Sequence, residues 1–350
     1  MYLLKSLDSG PIDIVGDIHG EIDALEALLE RLGYRSNGSH PDNRRLVFIG
    51  DLVDRGPDSP GVVKRVRELV ENHDAQFILG NHELNLLVND IKDGSGWFFD
   101  ERFERDCENY APFARTPESE RESLRAFLSE QPVALYRNDI RIVHAAWTTN
   151  AINAISQLPL GTLVENYFEW EEQTRRQADA EGIYEHYLEA KEKWADRLED
   201  ESNPPPFLDA IAEYEAMQQT FNPLKVLTSG VEKRSEEAFF AGHRWRYSDR
   251  INWWMSYTDN IPVVIGHYWR LLEKQEASRT PRYTRLFSNT PPLAWHGKRH
   301  NVFCIDYSVG ARWRDRKANQ PIETSRFRLA ALRWPENRVV FDNGFEAFTK

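Results

Sequence analysis

Cysteine is scarce in this chain: Cys107 and Cys304 are the only two in 350 residues. They lie far apart with no Cys-x-x-Cys spacing, which excludes a disulfide framework and a thiolate metal site and fits two reduced thiols. Long apolar runs are missing too; nothing approaches the ~20 residues that a membrane-spanning helix needs. Lys and Arg form no basic stripe, and the formal net charge is −12. Long nucleic acid is therefore not an expected partner, because binding along its backbone depends on grouped cations. The same acidic balance argues against a membrane surface. The start, Met1-Tyr2-Leu3-Leu4-Lys5-Ser6, has neither an apolar stretch nor a small-residue cleavage site, so a cytoplasmic protein is expected. No internal repeat, low-complexity tract or Walker-type lysine loop occurs.

With 41% hydrophobic residues, the chain can bury a substantial core, and we expect a single domain over 1–350. Its first third alternates strand and helix signals. Ile12-Asp13-Ile14-Val15, Leu46-Val47-Phe48-Ile49 and Gln76-Phe77-Ile78-Leu79 read as buried strands. Between them, Ile22, Leu25, Leu28, Leu29 and Leu32 recur at helical spacing. A second helix is expected from Ser59 to Val70, with Pro60 at its start. A third helix begins at Leu84. This order predicts a parallel sheet with functional loops at its carboxyl edge. Later, Val133–Tyr136 and Ile140–Val143 read as a hairpin, Pro262–Ile265 and Val302–Ile305 as buried strands, and Phe327–Arg333 with Arg338–Phe341 as a terminal hairpin. Antiparallel strands after a parallel start suggest two packed sheets. Residues 150–260 are charged, helix-prone and rich in aromatics, and read as a mostly helical insertion covering the rim of the active site.

Three segments carry the chemistry: Gly16-Asp17-Ile18-His19-Gly20, Gly50-Asp51-Leu52-Val53-Asp54-Arg55-Gly56 and Gly80-Asn81-His82-Glu83. Each follows a short apolar run and so presents polar groups where a strand meets a loop. Together they can surround two cations about 3.5–4 Å apart. Asp51 is the natural bridging carboxylate. Asp17 and His19 can turn toward one ion, Asn81 toward the other, and His144 and His267, at later strand ends, complete the second site. Oxygen and imidazole ligands without thiolate suit two divalent ions, manganese being expected, with iron, zinc or cobalt as alternatives. Water held there becomes the nucleophile. His82 can supply a proton to the leaving oxygen, with Asp54 orienting it. The Arg55 fork matches two phosphate oxygens. Arg246, Arg250 and Arg270 are candidates for a second phosphate clamp. His243, His296 and His300 are left out of the ligand set, which six residues already fill.

On these motifs the chain resembles the PPP-type phosphoprotein phosphatases of the calcineurin-like metallophosphoesterase superfamily. The nearest likeness is to the bacterial branch, with its symmetrical diadenosine tetraphosphatases and the phosphatase module of polynucleotide kinase-phosphatases. The likeness is close over Ile12–Leu87 and continues at Val143–Ala146, Val264–Tyr268 and Cys304–Gly310. It implies an α/β fold, a β-sandwich of two mixed sheets flanked by helices, and the same ligand, acid and clamp residues. Two departures stand out: Ala145-Ala146-Trp147 replaces a glycine-containing loop, with Trp147 expected to narrow the site, and Asp306-Tyr307-Ser308 replaces Asp-Thr-Gly. The expected function is hydrolysis of phosphate esters by metal-bound hydroxide, on phosphoserine or phosphothreonine proteins or small phosphomonoesters. The alternative is a symmetrical bis(5'-nucleosyl)-tetraphosphatase that stacks bases on Trp245, Trp253 or Trp254. A second alternative is an inactive phosphate- or nucleotide-binding protein.

Overall fold

The computed structural model describes residues 1–241, 244–273, 286–287 and 289–350. Two mixed sheets face each other. The first runs β13-β12-β11-β2-β3-β4. Its centre is β2 (Ile12–Val15), β3 (Arg45–Phe48) and β4 (Ala75–Phe77), all parallel, joined by α1 (Ile22–Leu32) and α2 (Ser59–Glu71). β11 (Ala330–Trp334) adds antiparallel to β2, followed by β12 (Arg338–Phe341) and β13 (Glu346–Phe348). The second sheet runs β1-β5-β6-β9-β10. It comprises β1 (Leu4–Ser6), the hairpin β5 (Ala134–Arg137) and β6 (Ile140–Val143), then β9 (Val263–Ile265) and β10 (Val302–Cys304). The two expected sheets are thus present, and the sequence reading lacked only the short edge strands β1 and β13.

The strands read as continuous apolar runs because both of their faces are buried. Ile12, Ile14, Val47, Ile49, Ile142, Val264 and Phe303 point into a core shared by the two sheets. Their neighbours Val15, Leu46, Phe48, Val143, Val263, Ile265 and Cys304 face the helices on the other side. A one-residue slip would exchange these two sets and carry buried Asp13 into the sandwich, so the register is firmly specified. Asp13 is held on the helix side by Tyr34, Arg44 and Arg333.

Helix starts follow local chemistry. Asp58 caps α2 by accepting from Gly61 N, with Pro60 in the first turn. α3 (Asn81–Leu87) begins at Asn81, three residues before the expected Leu84, because Glu83 turns back to the Gly80 N–H. α4 (Asp100–Tyr110) and α5 (Glu118–Ser129) follow.

The 150–260 segment is helical only in part. It contains α6 (Thr149–Ile155), α7 (Leu163–Ala180), α8 (Ile183–Lys193), α9 (Asp209–Phe221) and α10 (Pro223–Ser229). It then departs from the expectation: β7 (Glu232–Ala241) and β8 (Arg244–Arg250) form a separate two-stranded ribbon. β-branched residues are rare there, so the strand signal is weak; the ribbon is held by packing on α9. Leu208, Ile211, Ala212 and Tyr247 make a small core of their own, flanked by Tyr187, Trp194 and Trp245. The short α11 (Arg312–Lys317) precedes β11.

Candidate metal centre

The carboxyl ends of β2, β3 and β4 converge. Gly50 follows β3 with φ +103°, and a Cβ there would lie 2.4 Å from Gly80 N, so only glycine lets these two strand ends meet. Glu83 locks them together. Its carboxylate accepts from Asp51 N (2.9 Å), Leu52 N (2.7 Å) and Gly80 N (2.9 Å). The Asp51 carbonyl in turn accepts from Ile18 N and His19 N, both at 2.9 Å. Three loops are thereby fixed by one residue's backbone and one buried carboxylate.

Asp51 stands at the centre. Its Oδ2 lies 3.3 Å from His144 Nε2, 3.7 Å from His19 Nε2 and 3.9 Å from His82 Nε2. The tautomers of two of these imidazoles are set from behind. His19 Nδ1–H donates to Val53 O at 2.9 Å, and His144 Nδ1–H donates to Ile49 O at 2.8 Å. In the neutral form that ligates, each turns a bare Nε2 toward Asp51, the arrangement by which backbone carbonyls orient metal-binding histidines. For His144 burial acts to lower the imidazole, but the Asp51 and Asp17 carboxylates outweigh it and push it up to about 10. His267 Nδ1 meets Asn81 Oδ1 at 2.8 Å. The Nε2 atoms of His144 and His267 are buried with no hydrogen-bond partner. Buried lone pairs without a donor are costly unless a cation takes them. Among the described residues, the ligand atoms of His19, Asp51 and His82 lie within 4.8 Å of one another, as do those of Asp51, His144 and His267. Asp51 belongs to both groups, as expected of a bridge.

Asp17 and Asn81 sit beside these groups rather than inside them. The Asp17 carboxylate accepts from His267 N at 3.0 and 3.3 Å. The electrostatics show surplus negative charge. Burial pushes the Asp17 carboxyl well above the usual range, and nearby Asp306 adds to this. Burial likewise pushes Asp306 up to about 6. Burial also acts to raise Asp51, but the imidazoles of His144 and His82 outweigh it and hold its carboxyl well below the usual range. Burial, together with Arg55 for His19 and Arg250 for His267, keeps both imidazoles neutral, the form that ligates. A dication placed here would offset the carboxylates and take the lone pairs, so the residues present fit two divalent ions.

His82 Nδ1 meets Asp54 Oδ2 at 2.5 Å. Asp54 is itself fixed: Trp97 Nε1 donates to its Oδ1, and its N–H donates to Ser59 Oγ at 2.9 Å. Arg55 Nη1 lies 3.2 Å from His19 Nε2, which brings its guanidinium to the edge of the cluster. His19, Asp51, Asp54, Arg55 and His267 all adopt positive φ, between 48° and 75°, which is costly for residues with a side chain.

Arg55 opens onto a cavity of about 1310 Å³ between the sheets and the β7–β8 ribbon. Arg246 and Arg250 line it, with Arg314, Trp254 and Trp269. The other clamp candidate is corrected: Arg270 is buried and donates to the carbonyls of Cys304 and Pro291, so it is structural. Trp253 donates to Ala145 O and Trp245 to Asp200 O, so both are also committed to the scaffold. Trp254 stacks on Phe287. Trp147 does not line the cavity; it is buried, with Arg141 over its ring. His296 packs on Trp254 and Phe287, His300 is exposed, and His243 lies outside the described residues. Ser308 takes a left-handed φ of +64°, where the resembled pattern has glycine, and its N–H donates to Asp306 Oδ1 at 2.7 Å.

Sequence reasoning gave no role to Glu83, Trp97, Asp306, Trp269 or Arg314. Glu83 could have been found, since it sits three residues after a glycine helix cap. Asp306 lies in the Cys304–Gly310 stretch that the resemblance covers, while Trp97, Trp269 and Arg314 come from distant parts of the chain and carry no local signal.

Fold and site define a two-sheet α/β protein built around a carboxylate–imidazole cluster suited to divalent cations. The chain belongs to the calcineurin-like phosphoesterase family, whose profile matches residues 10–243. The asymmetrical bis(5'-nucleosyl)-tetraphosphatase PrpE of Oceanobacillus iheyensis is 53% identical over 74 residues, covering 20% of this chain and 30% of that protein. The protein of the same name from Halalkalibacterium halodurans is 47% identical over 73 residues, with the same coverage. The chain thus spans about 30% of the length of these relatives. Solved structures are more remote. A cold-active protein-tyrosine phosphatase of a psychrophilic Shewanella is 14% identical at a TM-score of 0.47, covering 100% of this chain and 83% of that one. A metallophosphoesterase from Sphaerobacter thermophilus is 21% identical at a TM-score of 0.26, covering 40% and 48%. Among the described residues, no helix is long and apolar enough to cross a membrane.

Proposed function

We propose that this chain is a divalent-cation-dependent hydrolase of phosphoric esters. The observation that carries the reading is the convergence of three imidazole Nε2 atoms on Asp51 Oδ2, with those of His144 and His267 buried and unpartnered. Asp17, His19, Asp51, Asn81, His144 and His267 would hold two ions, manganese first among the candidates. Bound there, such ions neutralise phosphate charge and lower the pKa of water from about 15.7 toward 7. The chain's own residues do the rest. Arg55 binds and orients the phosphate. His82 holds the proton that the leaving oxygen needs, and Asp54 fixes its ring. The β7–β8 ribbon forms the outer wall of the substrate space. Two unpaired cysteines suit a reducing, cytoplasmic compartment.

Phosphomonoesters, including phosphoserine and phosphothreonine, are the first substrate class. A second reading is hydrolysis of a dinucleoside polyphosphate, favoured by the names of the relatives and by the arginines lining the cavity. Those relatives are named asymmetrical, whereas the sequence reading named the symmetrical activity. Unequal cleavage of diadenosine tetraphosphate gives ATP and AMP; equal cleavage gives two ADP.

The test is a competition. Metal-stripped protein reloaded with manganese is given a phosphopeptide and diadenosine tetraphosphate together, and products are separated over time. Inorganic phosphate released first supports the monoesterase; nucleotide products released first support the second reading and show its cleavage point. No hydrolysis of either, with two ions bound, would overturn both.

A further inference from the structure

Five guanidinium groups line one cavity, and four of them, Arg55, Arg246, Arg250 and Arg314, pair with no carboxylate among the described residues. Arg55 comes from the loop after β3, Arg246 and Arg250 from the ribbon strand β8, and Arg314 from α11. The fifth, Arg234, pairs with Asp209, and outside the cavity Arg244 pairs with Glu215 and Arg312 with Asp342. Carboxylates do share the cavity wall, namely Glu232, Glu236, Glu237 and Asp249. The ribbon nevertheless leaves these four guanidinium groups without an ion pair to any of them.

Three of them, Arg55, Arg250 and Arg314, are instead shelved on aromatic rings, although Arg55 also meets His19 Nε2 at 3.2 Å. Trp269, two residues after His267, has Arg55 at 5.2 Å and Arg314 at 5.9 Å from its ring. Arg250 lies 5.9 Å from the Tyr268 ring. Among the described residues, Arg246 donates one hydrogen bond, from Nε to Ala241 O at 3.3 Å. Aromatic shelves position a guanidinium without neutralising it. Grouping like charges in a partly enclosed space is unfavourable unless an anion joins them. A lone phosphate at the metal cluster reaches Arg55. The other three extend the positive field across a space of about 1310 Å³, far larger than one phosphate requires.

We propose that Arg246, Arg250 and Arg314 form a second anion subsite that receives the phosphates beyond the reacting one. Trp269 acts as a positioning residue that couples Arg314 to Arg55. The substrate class that this subsite adds to the phosphomonoesters is a condensed phosphate, a phosphoanhydride chain of two or more further phosphates. The inference rests on the phosphoesterase reading for the placement of the reacting phosphate, but the subsite itself stands on geometry.

The probe is inorganic tripolyphosphate, set against p-nitrophenyl phosphate. In the full-length, manganese-loaded protein, R246A/R250A should raise KM for tripolyphosphate by about tenfold or more, as expected for lost charge-assisted contacts. KM for p-nitrophenyl phosphate should rise much less, and R246K/R250K should restore part of the loss. W269L should raise the tripolyphosphate KM while leaving kcat nearly constant, a split that a merely structural role would not produce. Titration calorimetry on the metal-stripped protein adds a readout independent of turnover: wild type should bind tripolyphosphate with one site and R314A more weakly. Equal KM changes for both substrates, or tripolyphosphate binding unaffected by all three arginine changes, would overturn the subsite. Normal binding of tripolyphosphate without hydrolysis of any ester would instead overturn the phosphoesterase reading and leave the subsite standing.

Discussion

Residues 12–87 and residues 150–260 meet across the cavity at Arg55, and they are built by different rules. In the first region every functional side chain sits at a strand end, and its loop is pinned by backbone hydrogen bonds to Asp51 and Glu83. In the second, Ile152, Leu163, Leu224 and Trp253 join the main core, while α8, α9 and the ribbon pack on a small core of their own around Tyr247, with aromatic contacts such as Tyr187 on Tyr214 at 4.4 Å. The first region holds the carboxylate–imidazole cluster with little freedom to vary. The second contributes the ribbon that lines the cavity beside it. The contrast teaches that a rigidly pinned cluster and the cavity wall facing it can be carried by parts of one chain that differ in how they are held.

Changes in the first region should therefore cost most. Asp51→Asn removes the charge shared by both ligand groups; turnover should fall beyond about 10³-fold, more than the loss of a single transition-state donor. Steady-state kinetics with metal analysis checks this, and a fully active variant that still holds two ions would break the assignment. His82→Ala should keep metal stoichiometry and slow hydrolysis by about 10²–10⁴-fold, more for an alkyl leaving group than for p-nitrophenolate. Equal loss for both leaving groups would remove its role as proton donor.

Smaller effects probe the supports. Glu83→Gln keeps the size of a side chain that accepts from three backbone N–H groups but removes its charge. Metal affinity should drop by about 10–100-fold, as for other residues that orient ligands from behind. Titration with manganese measures this; an unchanged affinity would show that Glu83 only holds the loops. Tyr34→Phe deletes a buried hydrogen bond to Asp13 in the first region and should cost about 1–2 kcal/mol in chemical denaturation. The matching change in the second region, Tyr247→Phe, removes a buried hydroxyl with no partner and should stay within about 0.5 kcal/mol of wild type. Equal costs at the two tyrosines would erase the contrast between the regions.

Legibility in the sequence follows the same divide. Ile12–Val15 and Leu46–Phe48 announce themselves because both faces are apolar, and the glycine-flanked motifs follow them directly. The ends of strands β6 and β9 bring His144 and His267 beside Asp51. The β7–β8 ribbon was not legible, since Glu232–Ala241 has too few β-branched residues to mark a strand and gains its form from α9. Arg270 looked like a clamp because sequence shows its charge but not its burial beneath Phe287 and Tyr307. Trp269 and Arg314 were invisible for the opposite reason: only the fold brings them to Arg55.

The left-handed backbone at His19, Asp51, Asp54, Arg55 and His267 has a consequence for engineering. Glycine would relax each of these positions, by roughly 1 kcal/mol or more apiece, and each such replacement would delete a group that the chemistry uses. A campaign that ranked variants by melting temperature alone would therefore drift toward a sturdier and inert scaffold. Directed evolution of this protein needs a screen that reads turnover at every round.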